Sequence, residues 1–393
     1  MESTPDHPYT FTEPGDALWQ QYDELATRCF GHRVGDITSL RNRATARVAI
    51  RDGRVVAGGL GLAANQFFGG KAVPSACLGA GCVAPEERGH QLADLLMIER
   101  IQALRERGAV LATLWTSSNA YVRRLGWQAP VPVFGWSVAT QDLRTFTTDG
   151  YRVELGLTPD AQALQRSLAA EWNGPVLRPG WWWSWQEKKS SLIIYQFSRP
   201  GQPAEGVLSI ATAPRSPRGM ELIVHDLWAP NSTAAAAIYA FLGQHHSRAE
   251  TVQFRRSALP PCLTLLHGLR RYQLTAEAWH PWMLRVLDTR QALLLRGWPA
   301  DLSFATAVEV GQNAHDKPQR YLLRVADGAA EVEAADVEPV VRFSQGQFAV
   351  WYAGGYTSAT TARLGGVHSE SADALATLVR ATHHLDPWLP DLF

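Results

Sequence analysis

The run Val83-Ala84-Pro85-Glu86-Glu87-Arg88-Gly89-His90-Gln91-Leu92-Ala93 is the stretch best built to do chemistry. Before it, Ala76 to Val83 is an apolar strand pattern that Pro85 closes. After it, Ala93, Met97, Ile101 and Leu104 recur at helical spacing on one face. The turn between them is polar and carries an arginine and a glycine. A strand–turn–helix of this kind presents free backbone N–H groups and a helix N-terminus, which suits a pyrophosphate. One glycine in such a turn is also ordinary turn chemistry, so the reading needs support from the rest of the chain. Other chemistries find no such constellation. His245-His246 and His383-His384 are adjacent pairs whose rings point to different helix sides, unlike an i,i+4 metal pair, and they read as surface histidines. Cys29, Cys77, Cys82 and Cys262 show no C-x-x-C spacing and read as buried thiols. Gly156, Gly354-Gly355 and Gly365-Gly366 have no Lys-Ser/Thr after them, so no phosphate loop of that type is expected.

The elements that must hold this turn follow from local pattern. Ala17 to Phe30 reads as a helix, with Leu18, Tyr22, Leu25 and Ala26 on one face. Ala46–Ile50 and Val55–Leu62 form a hairpin across Asp52-Gly53. The helix after the turn runs to about Arg107 and stops at Gly108. Ala109 to Trp115 is a strand, a short helix follows, and Val133 to Val138 is another strand. Thr158-Pro159-Asp160 opens a helix with Thr as N-cap and Pro at its first position. Glu221 to Trp228 is a strand that runs through Ala229-Pro230 into a helix ending near Gln244. Its Leu227-Trp228-Ala229-Pro230 echoes Cys82-Val83-Ala84-Pro85, so the strand–turn–helix looks duplicated, without glycine or arginine in the second turn. Trp181-Trp182-Trp183 and Trp185 can form a wall for a cationic or sugar-like ligand or pack between domains, and aromatic burial favours packing. Near the C-terminus, Ala305–Val310, Arg320–Val325, Glu331–Ala334, Pro339–Ser344 and Gln347–Tyr352 read as short strands, and Ser371–His383 as a helix.

With 393 residues the chain is too long for one ordinary core. Apolar residues are 46% and charged residues 19%, and 37 Lys plus Arg balance 37 Asp plus Glu. Neither a basic field for nucleic acid nor an apolar run for a membrane is present, so a cytoplasmic protein without either partner is expected.

The order of elements, with the phrase Tyr121-Val122-Arg123-Arg124-Leu125-Gly126-Trp127, resembles the GNAT acetyltransferase fold. Length and the later segments resemble the Eis (enhanced intracellular survival) family: tandem GNAT domains followed by a sterol-carrier-like domain. The resemblance implies an α/β (α+β) chain divided as 1–145, 146–287 and 288–393. It implies a second GNAT-like domain without a cofactor site, and a third that serves mainly as architecture. The usual turn of the fold, Arg/Gln-x-x-Gly-x-Gly/Ala, is here Arg88-Gly89-His90-Gln91-Leu92-Ala93, with Gln91 in place of the central glycine. As a helix N-terminal residue Gln91 is expected to keep a negative φ and leave the N–H groups in place.

What the resemblance implies for activity is acetyl transfer from acetyl-CoA, without a metal, to a primary amine of an aminoglycoside or a protein lysine. Gly81, Cys82 and Val83 would pair with the pantetheine arm, with an N–H near Val83 facing the oxyanion. Arg88, Gly89, His90, Gln91, Leu92, Ala93 and Asp94 would surround the pyrophosphate, with His90 exposed on the turn. Thr116, Ser117 and Asn119 would line the gap by the thioester. Tyr121, a phenol protonated at neutral pH, would be the acid for the departing thiolate, although an aromatic there can also simply pack. The general base would be the α-carboxylate of Phe393, brought back by the apolar Trp388, Leu389 and Leu392; a frayed end is the alternative. The family also implies a homo-oligomer, a hexamer. A rival reading is a non-catalytic protein that binds acyl-CoA or lipid through the sterol-carrier-like domain.

Overall fold

The first sheet grows from the expected hairpin. In the computed structural model, which describes residues 7–31, 40–116, 119–190, 192–214, 219–257, 275–279, 282–311 and 318–393, β1 (Thr10–Thr12) and α1 (Asp16–Phe30) come first. Then β2 (Ala44–Arg51) and β3 (Arg54–Phe68) turn on Asp52 and Gly53, whose positive φ values (50° and 75°) suit a tight hairpin. Antiparallel to β3 lies β4 (Lys71–Val83). α2 (Leu92–Arg105) covers the sheet with Leu92, Leu96, Met97, Ile101 and Leu104, and β5 (Leu111–Trp115) returns parallel to β4. This crossover is the expected strand–turn–helix–strand unit.

After the short helix α3 (Asn119–Arg124), β6 (Val133–Ala139) leaves the first sheet. It joins a second one made with β7 (Arg152–Leu155), β8 (Ile193–Ser198), β9 (Ala204–Pro214), β10 (Met220–Trp228), β11 (Ala249–Ser257) and β12 (Thr275–Trp279). Helices α4 (Pro159–Ala169), α5 (Gly180–Ser190) and α6 (Ser232–Gly243) belong to this part. Thr158 caps α4 through Ala161 N–H, as its sequence predicts. Here β10, α6 and the parallel β11 repeat the plan of β4, α2 and β5. The next strand, β13 (Trp282–Val286), goes back to the first sheet and pairs antiparallel with β5. The first sheet therefore takes back a strand from beyond the second sheet's run in sequence, and the expected cut at 145/146 falls after a strand of the second sheet.

The last part contains α7 (Thr289–Leu295), β14 (Phe304–Val310), β15 (Gln319–Ala326), β16 (Ala329–Ala334) and β17 (Val341–Phe343). It continues through α8 (Gln345–Tyr352), α9 (Ala359–Leu364), β18 (His368–Ser369) and α10 (Ala372–Thr382). One expectation fails here: Gln347–Tyr352 is not a strand but most of α8. Ser344 and Gln347 form a capping box, and Phe348 to Tyr352 are all buried, so a helix apolar on every side reads like a strand run. One continuous apolar core joins Tyr22 of α1 and Leu60 of the first sheet to Trp298, Phe348 and Leu389 of the last part. Among the described residues, no helix is long and apolar enough to cross a membrane.

Candidate active site

Parallel pairing between β4 and β5 lasts only from Ser75 to Leu78. Past that point β4 runs on to Val83 while β5 ends at Trp115, so the strands splay and this edge of β4 has no partner strand among the described residues. In the same stretch the register with β3 slips between Gly79 and Cys82, and Ala80 takes a φ of 49°. This bulge turns backbone polar groups toward the gap. Tyr22 on α1 fixes it by donating to the Ala80 carbonyl (2.8 Å). A cleft of about 970 Å³ opens there.

The cleft is lined by residues 81–83, 88, 89, 91–94, 116 and 121 of those singled out from sequence, and by Phe393. Arg88, Gly89 and Gln91 are exposed, while Leu92 is buried. His90 is exposed as expected but does not line the cleft. Asn119 begins α3, and Ser117 lies outside the described residues, as does Cys262. Asp94 pairs with Arg124 at 3.5 Å, which offsets its charge beside an anion site.

Gln91 departs from expectation. Its φ is +58° and ψ 8°, the left-handed conformation of the glycine it replaces. The chain climbs out of the turn through Gly89, also at positive φ (89°), and needs a second such step to start α2. Holding a non-glycine residue there costs about 1–2 kcal/mol. Yet the Gln91 side chain makes no capping bond, so the N–H groups of Leu92 and Ala93 at the start of α2 are not spent on a cap.

Tyr121 lies on α3 at the mouth of the gap, partly buried. Burial raises its phenol above the ordinary value, and Arg100 partly opposes the shift. Arg100 is a residue that sequence reasoning missed. Its guanidinium is buried under the bulge, donating to the carbonyls of Leu60 and of Gly79 (2.8 Å). Only glycine leaves it room: a Cβ on Gly59 or Gly81 would come within 2.5 and 2.8 Å of it. The signal was a charge at position 100 between Met97, Ile101 and Leu104, inside the apolar stripe. The Cys77 and Cys82 thiols are unsuited to act as nucleophiles. Burial pushes Cys77 well up and Cys82 up to about 12, so both stay protonated at neutral pH.

From the other side comes the end of the chain. A Cβ placed on Gly79 would meet the Phe393 carbonyl group at 2.9 Å, so the last residue lies against the bulge itself. The tail is tied down along its length. Asn173 donates its backbone N–H to Asp386 (3.0 Å) and accepts from Trp388 N–H (2.8 Å), and Leu389 is fully buried. Trp115 Nε1 donates to the Asp391 carbonyl (2.6 Å), and Gln186 Nε2 to that of Leu392 (2.6 Å). Arg178 binds Asp391 at 2.7 Å and Asp226 at 2.8 Å, all three side chains being buried. Removing one member of such a group costs about 3–5 kcal/mol. Burial alone would lower the Arg178 value, but the two carboxylates reverse this and hold it above the ordinary one. No spacing in the sequence links these three residues. The tryptophans near Arg178 pack: Trp182, Trp183 and Trp185 are buried, and Arg178 lies over the Trp183 ring at 4.6 Å.

In the second copy the turn before α6 behaves differently. Asn231 caps the helix by accepting from Ala234 N–H at 2.9 Å, so its own side chain takes a donor that an anion would need. Among the described residues, no group of three or more His, Cys, Asp or Glu side chains is placed to hold a metal.

Residues 12–129 match an Acetyltransferase (GNAT) domain family, residues 174–286 a second Acetyltransferase (GNAT) domain family, and residues 289–390 the Sterol carrier protein domain family. A search of curated proteins by sequence returns no match. The fold is shared with crystal structures of a GCN5-related N-acetyltransferase from Anabaena variabilis (22% identity, TM-score 0.87, 98% of this chain and 100% of that one). It is shared also with one from Kribbella flavida (21%, 0.80, 98% and 98%) and with Eis1 from Mycobacterium abscessus (19%, 0.74, 98% and 100%). The chain is an acetyltransferase of the GNAT class, with two such domains in tandem. The sterol carrier protein domain stands behind them, and the fold of the whole chain is similar to that of Eis1.

Proposed function

We propose that the chain transfers acetyl from acetyl-CoA directly to a primary amine in the cleft between β4 and β5. One observation carries this reading: a protonated phenol, Tyr121, and the chain's last residue, Phe393, line the same gap beside a bulged, half-unpaired strand. The free edge of β4 at Gly81–Val83 pairs with the pantetheine arm, and the uncapped start of α2 with Arg88 takes the pyrophosphate. The amine nitrogen attacks the thioester carbonyl, whose oxygen is met by an N–H near Val83. As the C–S bond breaks, Tyr121 protonates the thiolate. The amine loses its proton to the Phe393 α-carboxylate. A carboxylate near pKa ~3.5 is a weak base for an ammonium near ~10.4, so the amine must enter neutral or be lowered by the site. The acceptors we propose are aminoglycoside amines or protein lysines, and the assembly a homo-oligomer, a hexamer.

The test has two parts. Calorimetric titration should show heat with acetyl-CoA; its absence overturns the whole reading. Extending the chain beyond Phe393 by a few residues should abolish turnover and leave that heat unchanged. An extended chain as active as the original removes Phe393 from the mechanism.

A further inference from the structure

The two strand–turn–helix copies differ most where their strands bulge. Aligned through Val83-Ala84-Pro85 and Trp228-Ala229-Pro230, Gly81 of β4 corresponds to Asp226 of β10. Both strands slip register at this point, β4 between Gly79 and Cys82 and β10 between Val224 and Asp226. In β4 the position is a glycine, and the bulge faces an open cleft. In β10 it is a buried carboxylate that grips Arg178 with both oxygens, Nη1 to Oδ2 at 2.8 Å and Nη2 to Oδ1 at 2.9 Å. Arg178 turns its Nε to Asp391 Oδ1 (2.7 Å), whose other oxygen accepts the Val176 N–H (2.8 Å). Asp391 stands two residues before Phe393, and Trp115 at the end of β5 holds its carbonyl from the first site's side.

Packing of Leu389 and Trp388, with the backbone bonds of Asn173, already secures the tail upstream. A buried ionic cluster adds little net stability over apolar side chains of the same size. What a guanidinium between two carboxylates adds is direction: its planar donors fix each partner in place. We propose that Arg178, with Asp226 and Asp391, positions the Phe393 carboxylate for proton abstraction. The cofactor strand of the second domain thereby serves the first domain's site as an anchor. This rests on the reading of Phe393 as the base.

Two readouts on the full chain test it, one independent of activity. Carboxypeptidase A releases a C-terminal phenylalanine only from an accessible end. The original chain should resist it, and Arg178→Met should release phenylalanine at least about tenfold faster. In acetyl-CoA turnover with kanamycin and with a lysine-containing peptide as amines, kcat should fall by about 10- to 100-fold, as expected for a displaced base. The acetyl-CoA dissociation constant should stay within about twofold, and Arg178→Lys should recover part of both losses. A chain lacking Phe393 is the control. If that chain is inactive while Arg178→Met resists carboxypeptidase and turns over normally, the anchor is wrong and the base reading stands. If the chain lacking Phe393 keeps full activity, the base reading falls and the positioning role with it. Should Arg178→Met fail to fold, Asp226→Asn keeps the side-chain volume and breaks the two-oxygen grip on Arg178. It should then show the same two changes at about threefold; no change in either overturns the proposal.

Discussion

The Tyr121 phenol must be protonated to serve a departing thiolate. Burial raises its value above the ordinary ~10, so the acid form persists through the neutral range. Activity that needs this acid falls only as pH rises through that raised value. The pH profile of kcat should therefore keep its plateau past pH ~10 before it declines. Tyr121→Phe should lower kcat by about 10²–10⁴ and remove that decline; a loss of only a few-fold would make Tyr121 a packing residue. Gln91 offers a second test at this scale. It sits in a glycine's conformation, so Gln91→Gly should raise stability in denaturant titration by up to about 1 kcal/mol and tighten acetyl-CoA binding. Weaker binding in that variant would show that the glutamine side chain itself contacts the ligand. The sequence made the turn, Tyr121 and the vacant glycine visible. It gave no sign of the left-handed φ, because backbone conformation at one position is imposed by the whole path from Gly89 into α2.

At the scale of elements, the bulge in β4 is the device on which the site depends. Arg100 fills the space below Gly59 and Gly81, and Phe393 touches Gly79. Gly79→Ala would set a methyl group against the Phe393 carbonyl, so kcat should fall by about 10-fold or more, measured by steady-state turnover. Acetyl-CoA affinity should hold, because the Gly81–Val83 edge is untouched. Most elements here were legible: the hairpin at Asp52-Gly53, α1, the crossover from β4 to β5, and its echo from β10 to β11. Each carries its own period and its own cap. α8 was not, because Phe348, Ala349, Val350, Trp351 and Tyr352 are apolar in succession and the stripe that marks a surface helix is absent. The capping box at Ser344 and Gln347 was the readable sign. Arg100, Arg178 and Asp391 were hidden for another reason: their partners lie far away in sequence.

At the scale of the molecule, Asn173 joins regions that have no sequence proximity. Its Oδ1 accepts the Gly69 N–H (2.7 Å), and its Nδ2 donates to the carbonyls of Leu385 (2.8 Å) and Thr382 (3.2 Å). Asn173→Ala should leave several buried groups unpaired and cost about 2–4 kcal/mol. Calorimetry should show the original chain unfolding in one transition, since the first sheet and the last part share one core. Separate transitions for the three parts would contradict that coupling. The return of β13 to the first sheet has a consequence for synthesis. When Trp115 has left the ribosome, the floor of the cleft exists, but the strand that pairs with β5 lies about 170 residues further on. At about 5–20 residues per second, the edge of β5 waits roughly 10–30 s for it. During that interval an open edge strand invites pairing with another nascent copy. Slow translation should therefore endanger this chain, and a chaperone that covers β5 should improve its yield more than one acting after release.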